Sequence, residues 1–241
     1  MKRLFFTFFC LFSGIQAFAQ YGNEWVKFNQ PYFKVCVARD GLYRLSYTDL
    51  QNAGFPVNTT NPLMIQLFHR GMEQLIRIPG ELDGVFNPSD YIEFYGVKNT
   101  GASDAPLYQP GTQPHPYYNL YSDTTSYFLT VNSLPQQGLR MQPFSEVNVN
   151  GLPAEPFNTA EKLLLITNQY ATGILYGSLQ NTFFETGEGW TGTEMVTGGF
   201  TDYTLTDIIN TAQTSGNPVL EVQVMGRGAT NQQIEILVGP S

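Results

Sequence analysis

Groups able to do chemistry are scarce in this chain. Its 241 residues include two histidines, His69 and His115, and two cysteines, Cys10 and Cys36, and charged side chains make up only 13% of the whole. A metal centre built on His and Cys is nearly excluded by supply, since these residues are scattered and show no ligand spacing. The G-x-S-x-G elbow of serine hydrolases is also missing, because Gly177-Ser178 lacks the flanking pattern. No stretch beyond the first dozen residues approaches the roughly 20 apolar residues of a spanning helix, so a membrane-embedded body is not expected. Basic residues are outnumbered, 12 against 20, for a net charge of −8. That balance disfavours nucleic acid and anionic membrane as partners. No fixed-period repeat is present.

What the chain does have is apolar and aromatic content, 42% and 14%. That is enough to bury one or two cores and excludes disorder. Positions 1–19 read as a secretory signal: Lys2 and Arg3 at the start, an apolar core from Leu4 to Phe12, and Ala17-Phe18-Ala19 before the cleavage point. Its removal takes the formal charge to −10 and leaves Cys36 as the remaining cysteine, so no intrachain disulfide forms although the compartment would permit one. The mature protein is expected to be exported and held by packing alone.

The pattern beyond the signal is strand and turn. Tyr32 to Ala38 alternates, Asp40-Gly41 offers a hairpin turn, and Leu42 to Tyr47 is the returning strand. Ser46-x-x-Asp49 has capping-box spacing, and Gly54-Phe55-Pro56 stops the short helix it opens. Leu63 to Phe68, a turn at His69-Arg70-Gly71-Met72 and Glu73 to Ile78 make a second hairpin. Glu81 to Asp90 is a polar turn feeding a strand that ends at Gly96. Residues 97–118, with four prolines, form a long arm. Tyr127 to Val131 is a strand, and Arg140 to Phe144 another. A linker over 148–156 marks a boundary.

Past it, Lys162 to Thr167, Gly173 to Tyr176, Phe200 to Leu205, Val219 to Met225 and Gln233 to Val238 read as strands or apolar runs. Trp190 falls in a turn cluster, and Asp207 to Thr211 in a brief helix. The expected fold is therefore all-β and mainly antiparallel. A signal peptide (1–19) precedes an amino-terminal β domain with one short helix (20–150) and a second, sandwich-like β domain (151–241). That second domain would be left incomplete at Ser241, because a strand there with no closing segment is an unpaired edge.

Candidate sites are few. A thiol nucleophile needs a His or a helix amino-terminus beside it, so Cys36 with His69 or His115 is the one dyad the composition allows. A Cys inside a predicted strand is more simply a packed small side chain. Glu81, Asp83, Asn87 and Asp90 put hard oxygens on one turn and could hold calcium, although their spacing is not that of an EF-hand and turn capping explains them equally well. Trp190 with Glu185 and Glu188, or Tyr117, Tyr118 and Tyr121 with Asn119 and Asp123, could stack and hydrogen-bond a sugar. The alternative use of those rings is as core and cross-strand pairs.

Several segments together resemble the amino-terminal region of gingipain-like cysteine peptidases, in particular the PorU-type sortases of type IX secretion. They are Trp25-Val26-Lys27, Val35-Cys36-Val37, Asp40-Gly41-Leu42-Tyr43-Arg44-Leu45 and Leu50-Gln51-Asn52-Ala53-Gly54. To these are added Asp83-Gly84-x-Phe86, Asp90-Tyr91-Ile92-x-Phe94-Tyr95-Gly96 and Tyr127-Phe128-Leu129-Thr130. The second domain, with Gly187-Glu188-Gly189-Trp190, is similar to the β module that precedes the peptidase domain. The resemblance implies an exported, surface-located endopeptidase that processes type IX cargo, with its Cys and His in a downstream α/β domain absent from this sequence. No catalytic residue carries over. The implied partners are that downstream domain and other type IX surface components. A secreted carbohydrate-binding or adhesive β module, complete in itself, is the competing reading.

Overall fold

The computed structural model describes residues 22–134, 136–145, 151, 153, 160–173, 179–206, 218–226 and 232–239. The chain divides into two units: Met1–Lys98 with Thr124–Pro143, and Asn99–Asp123 with Phe144–Ser241. The signal region, the helix at 207–211, most of the linker and residues 174–176 lie outside the described residues. No helix among the described residues is long and apolar enough to cross a membrane.

In the first unit, alternation of apolar and polar residues builds two antiparallel sheets. One has the order β1-β6-β3-β4, formed by β1 (Phe33–Val37), β6 (Thr125–Val131), β3 (Ile65–His69) and β4 (Met72–Gln74). The other pairs β2 (Gly41–Ser46) with β5 (Tyr91–Gly96). Opposed residues share a face, so Val35, Tyr127 and His69 line up on the inner side of the larger sheet, while Lys34, Phe128 and Phe68 line up outside. The inner faces meet where Phe94 packs on Tyr127, ring centroids 5.2 Å apart. Val37, Ile65, Leu67, Ile76, Ile92, Phe94 and Leu129 are fully buried there. Each such side chain contributes about 1.5–3 kcal/mol relative to exposure.

Several local readings agree with this structure. Ser46 caps the helix α1 (Tyr47–Asn52) with both hydrogen bonds of a capping box, and Gly54 follows in the left-handed conformation. The Ser46 hydroxyl on the Asp49 carboxylate holds that acid below its ordinary range. Arg70 and Gly71, both with positive φ, turn β3 into β4. Gly96 is required by packing, because a Cβ there would lie 2.7 Å from the Tyr43 ring.

The expected hairpin from β1 to β2 does not form. β1 pairs with β6 and β2 with β5, so Ala38 to Asp40 is an arch from one sheet to the other. A short polar turn with Gly serves either purpose, and the choice lies in which distant strands offer edges. On the far side the sheets are joined: after β4 the chain bends, and Arg77 exchanges backbone hydrogen bonds of 2.8 and 2.9 Å with Glu93 of β5. On the near side β1 and β2 are both edge strands among the described residues. The expected strand at Arg140 to Phe144 reduces to a single bridge between Arg140 and Ile76.

The second unit holds one two-stranded sheet among its described residues, β7 (Gln169–Ala171) with β8 (Gly189–Thr191), rather than two packed sheets. Trp190 therefore lies in a strand. Residues 162–167, 200–205, 219–225 and 233–238 carry the strand-like patterns expected of them but are not in strands. Pattern alone gives a strand no neighbour to hydrogen-bond and no layer to cover its apolar face. Residues 99–123, expected within the first domain, cluster with this unit. They open on a 3-10 run, Gly101–Leu107. Gly101 fits closely there, since a Cβ would lie 2.6 Å from the Tyr118 carbonyl oxygen.

Candidate functional site

Cys36 and His69 are not brought together. Cys36 sits opposite Ser126 on β6, whereas His69 sits opposite Tyr127, one residue along. Neighbouring residues of a strand point to opposite faces, so the thiol and the imidazole lie on opposite sides of one sheet. His69 faces inward, stacked on Tyr127 at 4.2 Å with Nε2 3.0 Å from the Thr125 hydroxyl, and burial, then Arg70, lowers its pKa. Cys36 is exposed. His115 belongs to the other unit.

The four calcium candidates have protein partners, three of them within their own turn. Glu81 pairs with Arg140 at 2.5 Å. Asp83 accepts from the Val85 amide and the Asn87 side chain, and buried Asp90 accepts from the Asn87 amide at 2.7 Å. Among the described residues no group of three or more His, Cys, Asp or Glu is placed to hold a metal ion. Turn capping and an ion pair account for the acids.

Arg140 is a residue that sequence reading missed. Its guanidinium is almost covered and donates to the carbonyls of Pro62 and Leu63 at 2.8 and 3.1 Å as well as to Glu81. It closes the start of β3, where orphaned carbonyls would otherwise be buried. No local signal distinguishes it from a surface arginine. A second arginine cluster covers Glu93: Arg44 and Arg77 hold its two carboxylate oxygens at 2.7 and 2.6 Å. The hydrogen bond from Arg44, then that from Arg77, keeps Glu93 below the usual carboxylate range, and Arg44 also lies 4.0 Å over the Tyr91 ring.

In the second unit the aromatic group around Trp190 is built into the fold. The Trp190 indole N–H donates to the Leu120 carbonyl at 3.0 Å, and the ring meets Tyr118 and Tyr170 edge to face. Glu188, the expected acid partner, is buried, accepting from the Glu185 amide and the Gln180 side chain. Tyr108 donates to the Glu188 carbonyl at 2.8 Å, and burial first, then Tyr170 and nearby acids, pushes its pKa up to about 12. Burial also raises Tyr170. Asp104, itself buried, takes the Asn119 side chain at 2.6 Å and the Leu120 amide at 2.8 Å. The cavity that Asp104, His115, Tyr118 and Trp190 share measures about 10 Å³. That is the threshold for one water molecule and far too small for a sugar ring. Tyr121, 76% exposed, is left free at the surface.

The larger concavity is elsewhere, on the open side of the first unit between β1 and β2. It has a volume of about 270 Å³, and its lining mixes Phe33, Val35, Leu45, Leu50, Phe55 and Leu129 with the polar Lys34, Cys36 and Asp49. The sequence offered no sign of it, because it exists only where two sheets fail to join.

The residues carrying the resemblance have structural positions. Trp25 stacks on Phe68 at 5.2 Å and touches Phe128, covering the outer face of the larger sheet, and Lys27 reaches Asn132. Phe86 is buried against Tyr47. Comparison with known proteins finds no matching family model, no similar curated protein and no similar solved structure.

Proposed function

We propose that this chain is the non-catalytic front of an exported, surface-located cysteine endopeptidase of the gingipain-like, PorU-sortase kind. Its nucleophile would be encoded further along, and its role would be to seat and orient that peptidase domain. The observation that carries the reading is the apolar surface of the second unit. Phe200, Val219, Leu237 and Val238 are each 80% exposed or more, and Leu220, Val222, Ile234 and Ile236 are also exposed. So many exposed apolar side chains are what a surface covered by another body would present. The ordered motifs from Trp25 to Thr130 support the family resemblance, and the opposed faces of Cys36 and His69 agree with a catalytic centre outside this span.

The test is to read the frame beyond Ser241 and to express both the mature span and the longer product. The expected product contains a domain with a Cys and a preceding, distant His. Peptidase activity should appear in the longer form alone, and binding of an apolar dye should fall when the downstream domain is present. A stop codon after Ser241, or a continuation without a cysteine nucleophile, would overturn the reading in favour of a stand-alone binding module.

A further inference from the structure

Packing in the second unit leaves one ring nitrogen without a protein partner. His115 Nδ1 is shut off from solvent and makes no hydrogen bond among the described residues. Leaving a buried polar atom unmet is costly, so folded proteins pair nearly all of them with protein or with ordered water. His115 lines the cavity of about 10 Å³ together with Asp104, Tyr108, Gln113 and Trp190. One water molecule is the largest occupant that volume admits.

The polar groups of the lining still have capacity. Each oxygen of Asp104 accepts one hydrogen bond among the described residues, Oδ1 from the Asn119 side chain and Oδ2 from the Leu120 amide, and a carboxylate oxygen has room for a second. Gln113 gives one amide hydrogen to the Gly101 carbonyl and carries another to donate. The Trp190 indole N–H is committed to the Leu120 carbonyl. Asp104 repels an anion, and among the described residues no group of three or more His, Cys, Asp or Glu is placed to hold a metal ion. We propose that the cavity is a binding site for a single water molecule, which donates to His115 Nδ1 and to the Asp104 carboxylate and accepts from the Gln113 amide. Three partners are what a buried water ordinarily has. Such a water joins the segment carrying Gln113 and His115 to the 3-10 run carrying Asp104, and through Leu120 to Trp190 of β8. This inference does not rest on the peptidase reading and stands or falls separately from it.

The test compares the chain with its His115→Phe variant, whose ring fills the space and offers no acceptor. Oxygen-17 relaxation dispersion counts long-lived internal waters and is blind to exchanging protein hydroxyl protons. The unaltered chain is expected to hold one more such water than the variant, with the circular dichroism of the two alike. Long-range proton–nitrogen correlation of the unaltered chain at pH 8 is expected to place the His115 proton on Nε2, with Nδ1 in the shift range of a hydrogen-bonded acceptor. That second measurement needs no variant, so it decides the matter even where His115→Phe does not fold. Equal water counts in two folded chains, a proton on Nδ1, or an Nδ1 shift typical of a nitrogen with no hydrogen bond would each overturn the proposal.

Discussion

The first unit has a continuous buried apolar core, whereas the strand-like apolar runs of the second lie largely exposed. Val37, Leu67, Ile92, Phe94 and Leu129 have no exposed surface, whereas Phe200, Val219 and Leu237 are almost wholly in solvent. The sequence patterns of the two are alike, with Val, Ile and Leu alternating against polar residues in both. The difference is that every strand of the larger sheet in the first unit has a hydrogen-bonded neighbour and a facing layer, while 219–225 and 233–238 have neither among the described residues. Burial in the second unit instead centres on polar groups, Asp104, Asn119 and Glu188, gathered round Tyr108 and Leu120. Alternation states a capacity for burial, and a second surface is needed to realise it.

Each unit contains one tryptophan, Trp25 or Trp190, so variants with Trp190→Phe or Trp25→Phe report the two separately. The largest expected effect is that of Phe94→Ala, which empties the junction of the two sheets. It should cost the first unit about 3–5 kcal/mol in urea unfolding read at Trp25. A loss below about 1 kcal/mol would remove the contrast, because the first unit would then not depend on that core. Next in size is Asp104→Ala, which strands the Asn119 side chain and the Leu120 amide. Read at Trp190, it should destabilise the second unit by about 2–3 kcal/mol and leave the Trp25 transition unchanged. A shift at both indoles would show the two units unfolding as one.

The smallest effect is that of Glu93→Gln, about 1 kcal/mol at neutral pH, since both of its arginine partners are largely exposed to solvent. The sign in pH follows from the direction of the shift. A carboxylate whose folded pKa is lowered stabilises the fold above its ordinary pKa and loses that contribution as pH falls through the lowered value. The difference between wild type and Glu93→Gln should therefore be full at neutral pH and vanish on acidification. A difference that persisted at the lowest pH would assign the effect to packing instead of charge.

Features defined within a few residues were legible in advance. Ser46 and Asp49 are three positions apart and their side chains cap each other's backbone, and Arg70-Gly71 turns on its own dihedrals. Features defined by partners far along the chain were not. Asp40-Gly41 looked like a hairpin and is an arch, since β1 takes its neighbour from residues 125–129 and β2 from 91–96. Trp190 and Glu188 could serve a platform or packing by pattern alone, and their partners Leu120, Tyr118 and Glu185 were not legible. The partner of Glu81, Arg140, lies 59 residues away and left no local trace.

By itself the sequence determined the class: strands from the two-residue period, one capped helix and tight turns at glycine. Those outcomes follow from composition and from forces acting over one or two turns of chain. The tertiary structure alone decided which edges pair and which stay open, whether an apolar stripe is buried or bare, and whether an acid caps, bridges or binds. Each of those depends on contacts between distant residues, and no local pattern encodes which partner arrives.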